Sequence, residues 1–190
     1  MKNIYAILVT FNPNLDELTA NINLLKIQVG KVVLCNNSSF ELNIKDESVV
    51  EFNFGKNLGI AKAQSIGMKW AFENGADFIL QIDQDSTVCP NMVSELLRVF
   101  IDLKCQNIKV GLVGPIDYDR DTGQVNRARI NKGVLSATNR VLLVKETLSS
   151  GSLISKEAYE AVGGMNDELF IDAVDFEYCW RLRDAGFLVA

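Results

Sequence analysis

The feature that most narrows the folds open to this chain is the alternation of short apolar runs with segments of helical periodicity. Apolar side chains recur at helical spacing after Asn14, a candidate N-cap, and again from Ile60 to about Glu73. The apolar runs have strand length and lie within residues 4–10, 32–35, 49–54, 78–82 and 110–113. This alternation predicts an α/β fold with a Rossmann-like, mostly parallel sheet and helices on both faces.

The second half of the chain is less regular. A short helix is predicted over residues 156–162, and core strands over residues 141–144 and around 148–154. The polar segment 117–140 interrupts the alternation of strands and helices, and it predicts an irregular excursion over a site. Because the 190 residues contain neither an internal repeat nor a low-complexity linker, residues 1–190 are expected to form a single domain.

The composition excludes several classes of function. The formal net charge of −5 argues against a nucleic acid partner or an anionic membrane footprint. The absence of histidine rules out a Ser-His-Asp triad and a His-ligated zinc site, and leaves carboxylates as the acid–base groups near neutral pH. No apolar stretch is long enough to cross a bilayer, so any membrane association would be peripheral. The four cysteines are widely spaced and predict reduced thiols in or near the core of a cytoplasmic protein.

Two aspartates follow the apolar run 78–82. Asp83 and Asp85 are two residues apart on an extended segment, so their side chains can converge on a hard cation such as Mg²⁺ or Mn²⁺. Ligands of open α/β sheets bind outside the carboxyl ends of the strands, which is where this pair falls. The alternative is a polar turn capped by Asp and Ser, and an isolated Asp-x-Asp motif favours that interpretation.

A second acidic cluster follows the glycine pair at residues 163–164. Acidic residues are interleaved with large apolar ones as far as Glu177, and Asp175 is predicted at or near the N-terminus of a helix. Taken alone, this stretch favours electrostatic capping over catalysis, because aspartate is a common N-cap. Glu177 and Arg181 have the spacing of an i,i+4 ion pair on a helix surface.

Five motifs occur in a fixed order along nearly the whole chain. They are Thr-Phe-Asn-Pro at residues 10–13, Asn-Asn-Ser-Ser at 36–39, Asn-Leu-Gly-Ile-Ala at 57–61, Asp-Gln-Asp-Ser at 83–86, and Phe-Ile-Asp-Ala-Val-Asp-Phe-Glu-Tyr-Cys-Trp-Arg at 170–181. Together they resemble the family-two inverting glycosyltransferases of the GT-A fold, and within that family the rhamnosyltransferase-like branch. The resemblance implies a GT-A-type domain. Family members usually continue well past this point, so the chain is expected to be truncated on its acceptor side.

The resemblance also implies roles for individual residues. Asp85, with Asp83, would bind the Mn²⁺ or Mg²⁺ that bridges the donor diphosphate. Asp175 matches the catalytic base, with Asp172 as the alternative. Asn36 departs from the family, which usually has an aspartate there, although an amide can accept a hydrogen bond from a pyrimidine N3–H and donate one to O4. The residues expected to contact the nucleotide sugar are Thr10, Phe11, Asn12, Asn36, Asn57, Gly59, Asp83 and Gln84.

Several of these residues have structural alternatives. A turn before a helix N-terminus explains Asn57 and Gly59 equally well. Phe176 and Trp180 are interpreted as core or acceptor-wall residues and not as stacking platforms.

The implied reaction is metal-dependent transfer of a sugar, L-rhamnose by analogy with the branch, from a nucleoside diphosphate to an acceptor hydroxyl with inversion. The donor would be dTDP-L-rhamnose, or a UDP-sugar as the alternative, and the acceptor a saccharide or lipid-linked saccharide in cell-surface polysaccharide or glycolipid synthesis. The protein would work in the cytoplasm or at the inner face of the cell membrane. Two rivals stay open: a nucleotide-sugar-binding module without turnover, and a sugar nucleotidyltransferase. The lack of a glycine-rich basic loop after residue 10 argues against the second.

Overall fold

The computed structural model describes residues 3–116, 133–135 and 141–190. The helices are α1 (Leu15–Lys26), α2 (Ile60–Glu73), α3 (Met92–Cys105), α4 (Lys156–Val162) and α5 (Val174–Asp184), and a 3-10 turn spans Asp167–Leu169. The strands are β1 (Ile4–Thr10), β2 (Lys31–Asn36), β3 (Val49–Asn53), β4 (Phe78–Asp83), β5 (Val110–Val113), β6 (Val134–Leu135), β7 (Leu142–Leu143), β8 (Leu153–Ser155) and β9 (Leu188–Val189).

One sheet organises the described residues. Seven strands pair in the order β3-β2-β1-β4-β8-β5-β9, and β8 alone among them runs antiparallel to its neighbours. The predicted mostly parallel α/β sheet is therefore confirmed. The predicted excursion over residues 117–140 lies outside the described residues, apart from residues 133–135, whose strand β6 pairs with β7 in a small separate sheet.

Helices cover both faces of the main sheet, as the alternation of elements predicts. Successive side chains of a strand point to opposite faces, so Tyr5 and Ile7 of β1 pack with α2 and α5 in one core, whereas Ala6 and Leu8 pack with α1 and α3 in the other. Because both faces of β1 are covered, all seven of its residues are buried. This explains why β1 appears in the sequence as a continuous apolar run.

The observed boundaries confirm several predicted elements. Asn14 caps α1, because its Oδ1 accepts hydrogen bonds from the backbone N–H groups of Asp16 and Glu17 at 3.0 and 3.3 Å. The helices α2 and α4 lie where they are predicted. No helix in the described ranges has the length and apolar character needed to cross a membrane.

Two predictions about core residues are wrong in part. Residues 142–143 form the half-exposed strand β7 outside the main sheet, and residues 149–152 form a turn before β8. That turn requires Gly151 in the left-handed region, at φ +83°, and the Ser152 N–H closes it on the Ser149 carbonyl at 2.8 Å. Cys89 and Cys105 are exposed and not near the core, because they lie in a loop and in the last turn of α3.

Candidate active site

The carboxyl ends of three parallel strands bring the predicted donor residues to one edge of the sheet. Thr10 of β1 is in register with Asn36 of β2, and Val9 is in register with Asp83 of β4. Thr10, Asn36 and Asp83 therefore end neighbouring strands, at the edge where open α/β sheets bind ligands. Thr10 is 1% exposed, and its Oγ1 has no hydrogen-bond partner among the described residues.

The side chain of Gln84 connects the loop after β4 to the loop after β1. Its Oε1 accepts a hydrogen bond from the Phe11 N–H at 2.8 Å, and its Nε2 donates to the Phe11 carbonyl at 3.3 Å. On the other side, the Asn12 N–H donates to Ser38 Oγ at 2.8 Å. In α1, Asn21 donates through Nδ2 to the Gln84 carbonyl at 3.1 Å. Phe11 and Asn12 are thus held at the edge with exposed side chains, while Gln84 supports the loop.

The side chain of Asn36 is hydrogen-bonded within the protein. Its Nδ2 donates to the Phe40 carbonyl at 2.7 Å and to Asn53 Oδ1 at 2.8 Å, and its Oδ1 accepts from the Ser38 N–H at 2.9 Å. The residue is fully buried. Both N–H groups already have acceptors, so the predicted donation to a base O4 would require one of these bonds to break.

Gly59 lies against the second acidic cluster. Its φ is +84°, and a Cβ atom on it would lie 2.6 Å from Phe170 Cδ2 and 2.7 Å from the Phe170 carbonyl oxygen. That oxygen accepts a hydrogen bond from the Ile60 N–H at 2.7 Å, at the start of α2. Asn57 forms the turn before α2 by accepting the Gly59 N–H at 2.9 Å. The structure thus gives Asn57 and Gly59 the turn role, and their contact with a nucleotide stays a prediction.

Asn37 and Ser38 are parts of this site that the sequence did not single out individually. Asn37 accepts from the Leu58 N–H at 3.1 Å and donates through Nδ2 to the Gly59 carbonyl at 3.1 Å, and so ties the loop after β2 to the start of α2. The only signal in the sequence is that both residues belong to the Asn-Asn-Ser-Ser cluster.

The two aspartates of the predicted metal pair have different environments. Asp83 ends β4 and is partly buried, and its Oδ1 is buried without a hydrogen-bond partner in the described part of the chain. Burial, followed by the charges of Asp175 and Asp85, raises the pKa of Asp83 from 3.8 to about 6. Asp85 is exposed. The structure therefore brings both acidic clusters of the sequence close enough for their charges to interact.

The donor set at this edge fits a hard divalent cation. A buried carboxylate oxygen without a hydrogen-bond donor favours a positive charge beside it, and carboxylates are ligands that Mg²⁺ and Mn²⁺ prefer. Within the described ranges, no group of three or more His, Cys, Asp and Glu residues is suited to bind a metal. Asp83 and Asp85 would therefore share the ion with oxygen atoms of a ligand.

Ser150 supports this pair from the turn at residues 149–152. Its Oγ accepts a hydrogen bond from the Asp83 N–H at 3.2 Å and shares another with Ser86 Oγ at 2.8 Å. Sequence reasoning missed Ser150 because that stretch was predicted to be a strand. The run of serines beside Gly151 is the signal that indicates a turn.

Helix α5 carries the predicted base. Asp175 is the second residue of α5 and is partly exposed, whereas Asp172 is exposed in the segment before the helix. The helix begins after Ala173, whose φ is +62°, and Phe170 also has a positive φ of +48°. Positive φ is uncommon for residues other than glycine, so this segment is held in a strained conformation by its surroundings.

The predicted ion pair on α5 is more than a surface contact. The Arg181 guanidinium binds both carboxylate oxygens of Glu177, at 2.6 and 2.9 Å. It also donates to the carbonyls of Val162 and Gly164, at 2.5 and 2.8 Å. Arg181 thereby joins α5 to the glycine turn after α4, in a partly buried position.

Phe176 and Trp180 lie on the exposed side of α5. Phe176 is 39% exposed and Trp180 is 46% exposed, so the core interpretation of these residues is wrong. Trp180 Nε1 donates to Glu146 Oε1 at 2.7 Å. The acceptor-wall interpretation stays a prediction.

One curated relative aligns with nearly the whole chain. The dTDP-rhamnosyl transferase RfbF of Shigella flexneri is 37% identical over 205 residues, which cover 99% of this chain and 66% of the relative. The chain thus spans about two thirds of the length of this relative. No family model matches the chain.

Solved structures share the fold at low sequence identity. GalNAc-T7 with UDP, GalNAc and Mn²⁺ has a TM-score of 0.75 at 14% identity, over 100% of this chain and 42% of that one. The S. aureus protein TarS, as a fragment, has a TM-score of 0.66 at 16% identity, over 96% of this chain and 55% of that one. A Drosophila β1,4-galactosyltransferase 7 mutant with manganese, UDP-Gal and xylobiose has a TM-score of 0.55 at 16% identity, over 99% of this chain and 64% of that one.

Proposed function

This chain belongs to the rhamnosyltransferase-like branch of the GT-A glycosyltransferases, and on that premise we propose that it transfers a sugar from a nucleoside diphosphate to an acceptor hydroxyl with inversion at the anomeric carbon. The observation that carries the proposal is the position of Asp83, which ends β4 at the carboxyl edge of the sheet with an unpaired Oδ1 and whose pKa is raised by burial and then by the charges of Asp175 and Asp85. It supports a single site in which a cation-binding pair and a base act on one substrate.

The donor we propose is dTDP-L-rhamnose, since the curated relative is named as a dTDP-rhamnosyl transferase. The nucleotide would lie along the carboxyl edge of the sheet, beside Thr10, Phe11 and Asn12. The acceptor would be a saccharide or lipid-linked saccharide of a cell-surface polymer. The reaction would take place in the cytoplasm, with any membrane contact peripheral.

Asp83 and Asp85 would hold Mn²⁺ or Mg²⁺ against the donor diphosphate. Two of the structural neighbours were solved with manganese and a uridine nucleotide. When bound, the ion supplies positive charge that stabilises the leaving diphosphate. The chain contributes the exposed carboxylate of Asp85 and the unpaired Oδ1 of Asp83. Ser150 supports the backbone of Asp83 by accepting a hydrogen bond from its N–H.

Asp175 would act as the general base, with Asp172 as the alternative. Its carboxylate accepts the proton of the acceptor hydroxyl, whose oxygen forms a bond to the anomeric carbon on the face opposite the diphosphate. The bond between that carbon and the diphosphate oxygen breaks, and the nucleoside diphosphate leaves with the electron pair. Because the base and the cation-binding pair have separate tasks, two acidic clusters are required.

The test is a transfer assay with dTDP-L-rhamnose as the donor. Release of dTDP measures the rate, and NMR of the product gives the anomeric configuration. Asp175→Asn is expected to lower the rate by about 10² to 10⁴, the range that a general base contributes. Asp172→Asn tests the alternative base and should retain most of the rate. A near-normal rate in Asp175→Asn would remove that residue from the mechanism, and retention of configuration would refute inversion.

A further inference from the structure

Two buried glutamines contact the turn at residues 149–152, which also supports Asp83. Gln81 of β4 is 0% exposed and Gln64 of α2 is 2% exposed. The Oε1 atoms of both side chains have no hydrogen-bond partner in the described part of the chain, as is also true of Asp83 Oδ1. Buried amide oxygens are normally hydrogen-bonded, so two such atoms in residues that contact one turn require a physical reason.

The sheet places Gln81 and Asp83 on the same face. They are two residues apart in β4, so their side chains point the same way from positions about 7 Å apart. Their partners in β1, Ile7 and Val9, belong to the core that packs against α2. Gln81 Nε2 reaches that helix and donates to Met68 Sδ at 3.3 Å.

The turn at residues 149–152 connects both glutamines to Asp83. Gln64 Nε2 contacts Ser149 Oγ at 3.5 Å. The backbone of Gln81 donates to the Ser152 carbonyl at 3.0 Å and accepts from the Gly151 N–H at 2.7 Å. Ser150 of the same turn binds the Asp83 N–H. The two side-chain amides thus donate to a sulfur atom and, over 3.5 Å, to a hydroxyl, while both Oε1 atoms have no donor among the described residues.

We propose that Gln64 and Gln81 are positioning residues of the cation site, whose unpaired amide oxygens supply negative potential near Asp83 and so favour a divalent cation there. This inference rests on the proposed function. An oxygen dipole without a donor in a low-dielectric interior destabilises the metal-free protein and stabilises a cation nearby. The two glutamines therefore lower stability without metal and raise affinity for it. Outer-shell residues of metal sites typically change metal affinity by about 10- to 100-fold.

The test compares Gln81→Met and Gln64→Met with Gln28→Met. Methionine keeps the length of the side chain and removes the amide. Gln28 is the control because its amide oxygen and nitrogen both have partners away from the site: Nε2 donates to the Cys89 carbonyl at 3.1 Å and Oε1 accepts from the Val93 N–H at 3.2 Å. The measurements are the melting temperature without metal, and calorimetric titration of dTDP in the presence of MnCl₂.

The two kinds of variant should behave in opposite ways. Gln81→Met and Gln64→Met should each weaken Mn²⁺-dependent dTDP binding by about 10- to 100-fold, with an unchanged or higher metal-free melting temperature. Gln28→Met should lower the melting temperature and leave binding unchanged. Unchanged binding in both site variants, or a loss of binding that accompanies a lower melting temperature in both, would overturn the inference. Absence of Mn²⁺-dependent dTDP binding in the unmodified protein would overturn the proposed function, and the inference with it.

Discussion

Replacing Gly59 with alanine tests whether the loop before α2 and the segment that carries the predicted base are held together by direct contact. Gly59 has φ +84° and ψ +164°, a region of the backbone map used essentially by glycine alone. A Cβ atom there would also lie 2.6 Å from the Phe170 ring and 2.7 Å from the Phe170 carbonyl oxygen. Alanine would thus be strained and would collide with Phe170.

Gly163 separates these two effects. Its φ of +78° and ψ of −159° fall in the same backbone region, yet nothing lies within 4 Å of the position that a Cβ would occupy. Gly163→Ala should therefore destabilise the protein by the backbone strain alone, about 1 to 3 kcal/mol.

The collision with Phe170 adds to that strain in Gly59→Ala. Moving the Phe170 carbonyl breaks its 2.7 Å hydrogen bond from the Ile60 N–H, a loss of about 1 kcal/mol. Displacing the ring adds about 1 to 3 kcal/mol. Gly59→Ala should thus be less stable than Gly163→Ala by about 2 to 4 kcal/mol, or roughly 4 to 16 °C in melting temperature for a chain of this size.

Urea unfolding measures the difference in stability between the two variants. Calorimetric titration of dTDP and Mn²⁺ measures whether each variant still binds the nucleotide. Phe170 precedes the helix that carries Asp175, so Gly59→Ala should also reduce sugar transfer, whereas Gly163→Ala should reduce it less. Equal destabilisation in the two variants would refute the contact with Phe170 as a source of stability.

Three further predictions concern single side chains. The pKa of Asp83 is raised from 3.8 to about 6, so the native state holds the proton more tightly than the unfolded state, and stability falls as pH rises from about 4 to about 6. Asp83→Asn should therefore raise the free energy of unfolding of the metal-free protein at pH 7.5 by up to about 3 kcal/mol, and with it the melting temperature. Below pH 4 the substitution should have little effect. Asn36→Asp should destabilise the protein more at pH 7.5 than at pH 4, because an ionised carboxylate cannot donate to the Phe40 carbonyl. A destabilisation in thermal unfolding that does not depend on pH would contradict this. Arg181→Met should lower the melting temperature clearly, since the guanidinium is partly buried, whereas Arg98→Met, which breaks only exposed ion pairs, should leave it nearly unchanged.

The layout of the fold is predictable from the sequence because its periodicities are strong. Helix α2 begins at Ile60 and ends at Glu73, as its spacing predicts, and β4 ends at Asp83. Parallel strands end at a common edge, so the proximity of Thr10, Asn36 and Asp83 follows from the predicted topology.

The contacts between distant segments are not predictable in this way. Spacing identifies the motif around Gly59 but cannot show that Phe170 lies against it, because tertiary packing decides that contact. The same holds for Asn36, whose amide is used by the loop that follows it and by Asn53. Gln81 lies inside an apolar run, and only the structure shows that its Oε1 has no donor among the described residues.

Calorimetric titration of dTDP with and without Mn²⁺ tests most directly whether Asp83 and Asp85 form a cation site that serves a nucleotide. Binding should be about tenfold tighter or more with Mn²⁺, in the range of typical coupling between two ligands, and this gain should disappear in Asp85→Ala. Asp167→Ala, which removes an exposed acid from the 3-10 turn, should keep the gain. Binding that does not depend on the metal, or an Asp85→Ala variant that keeps the full gain, would contradict the account.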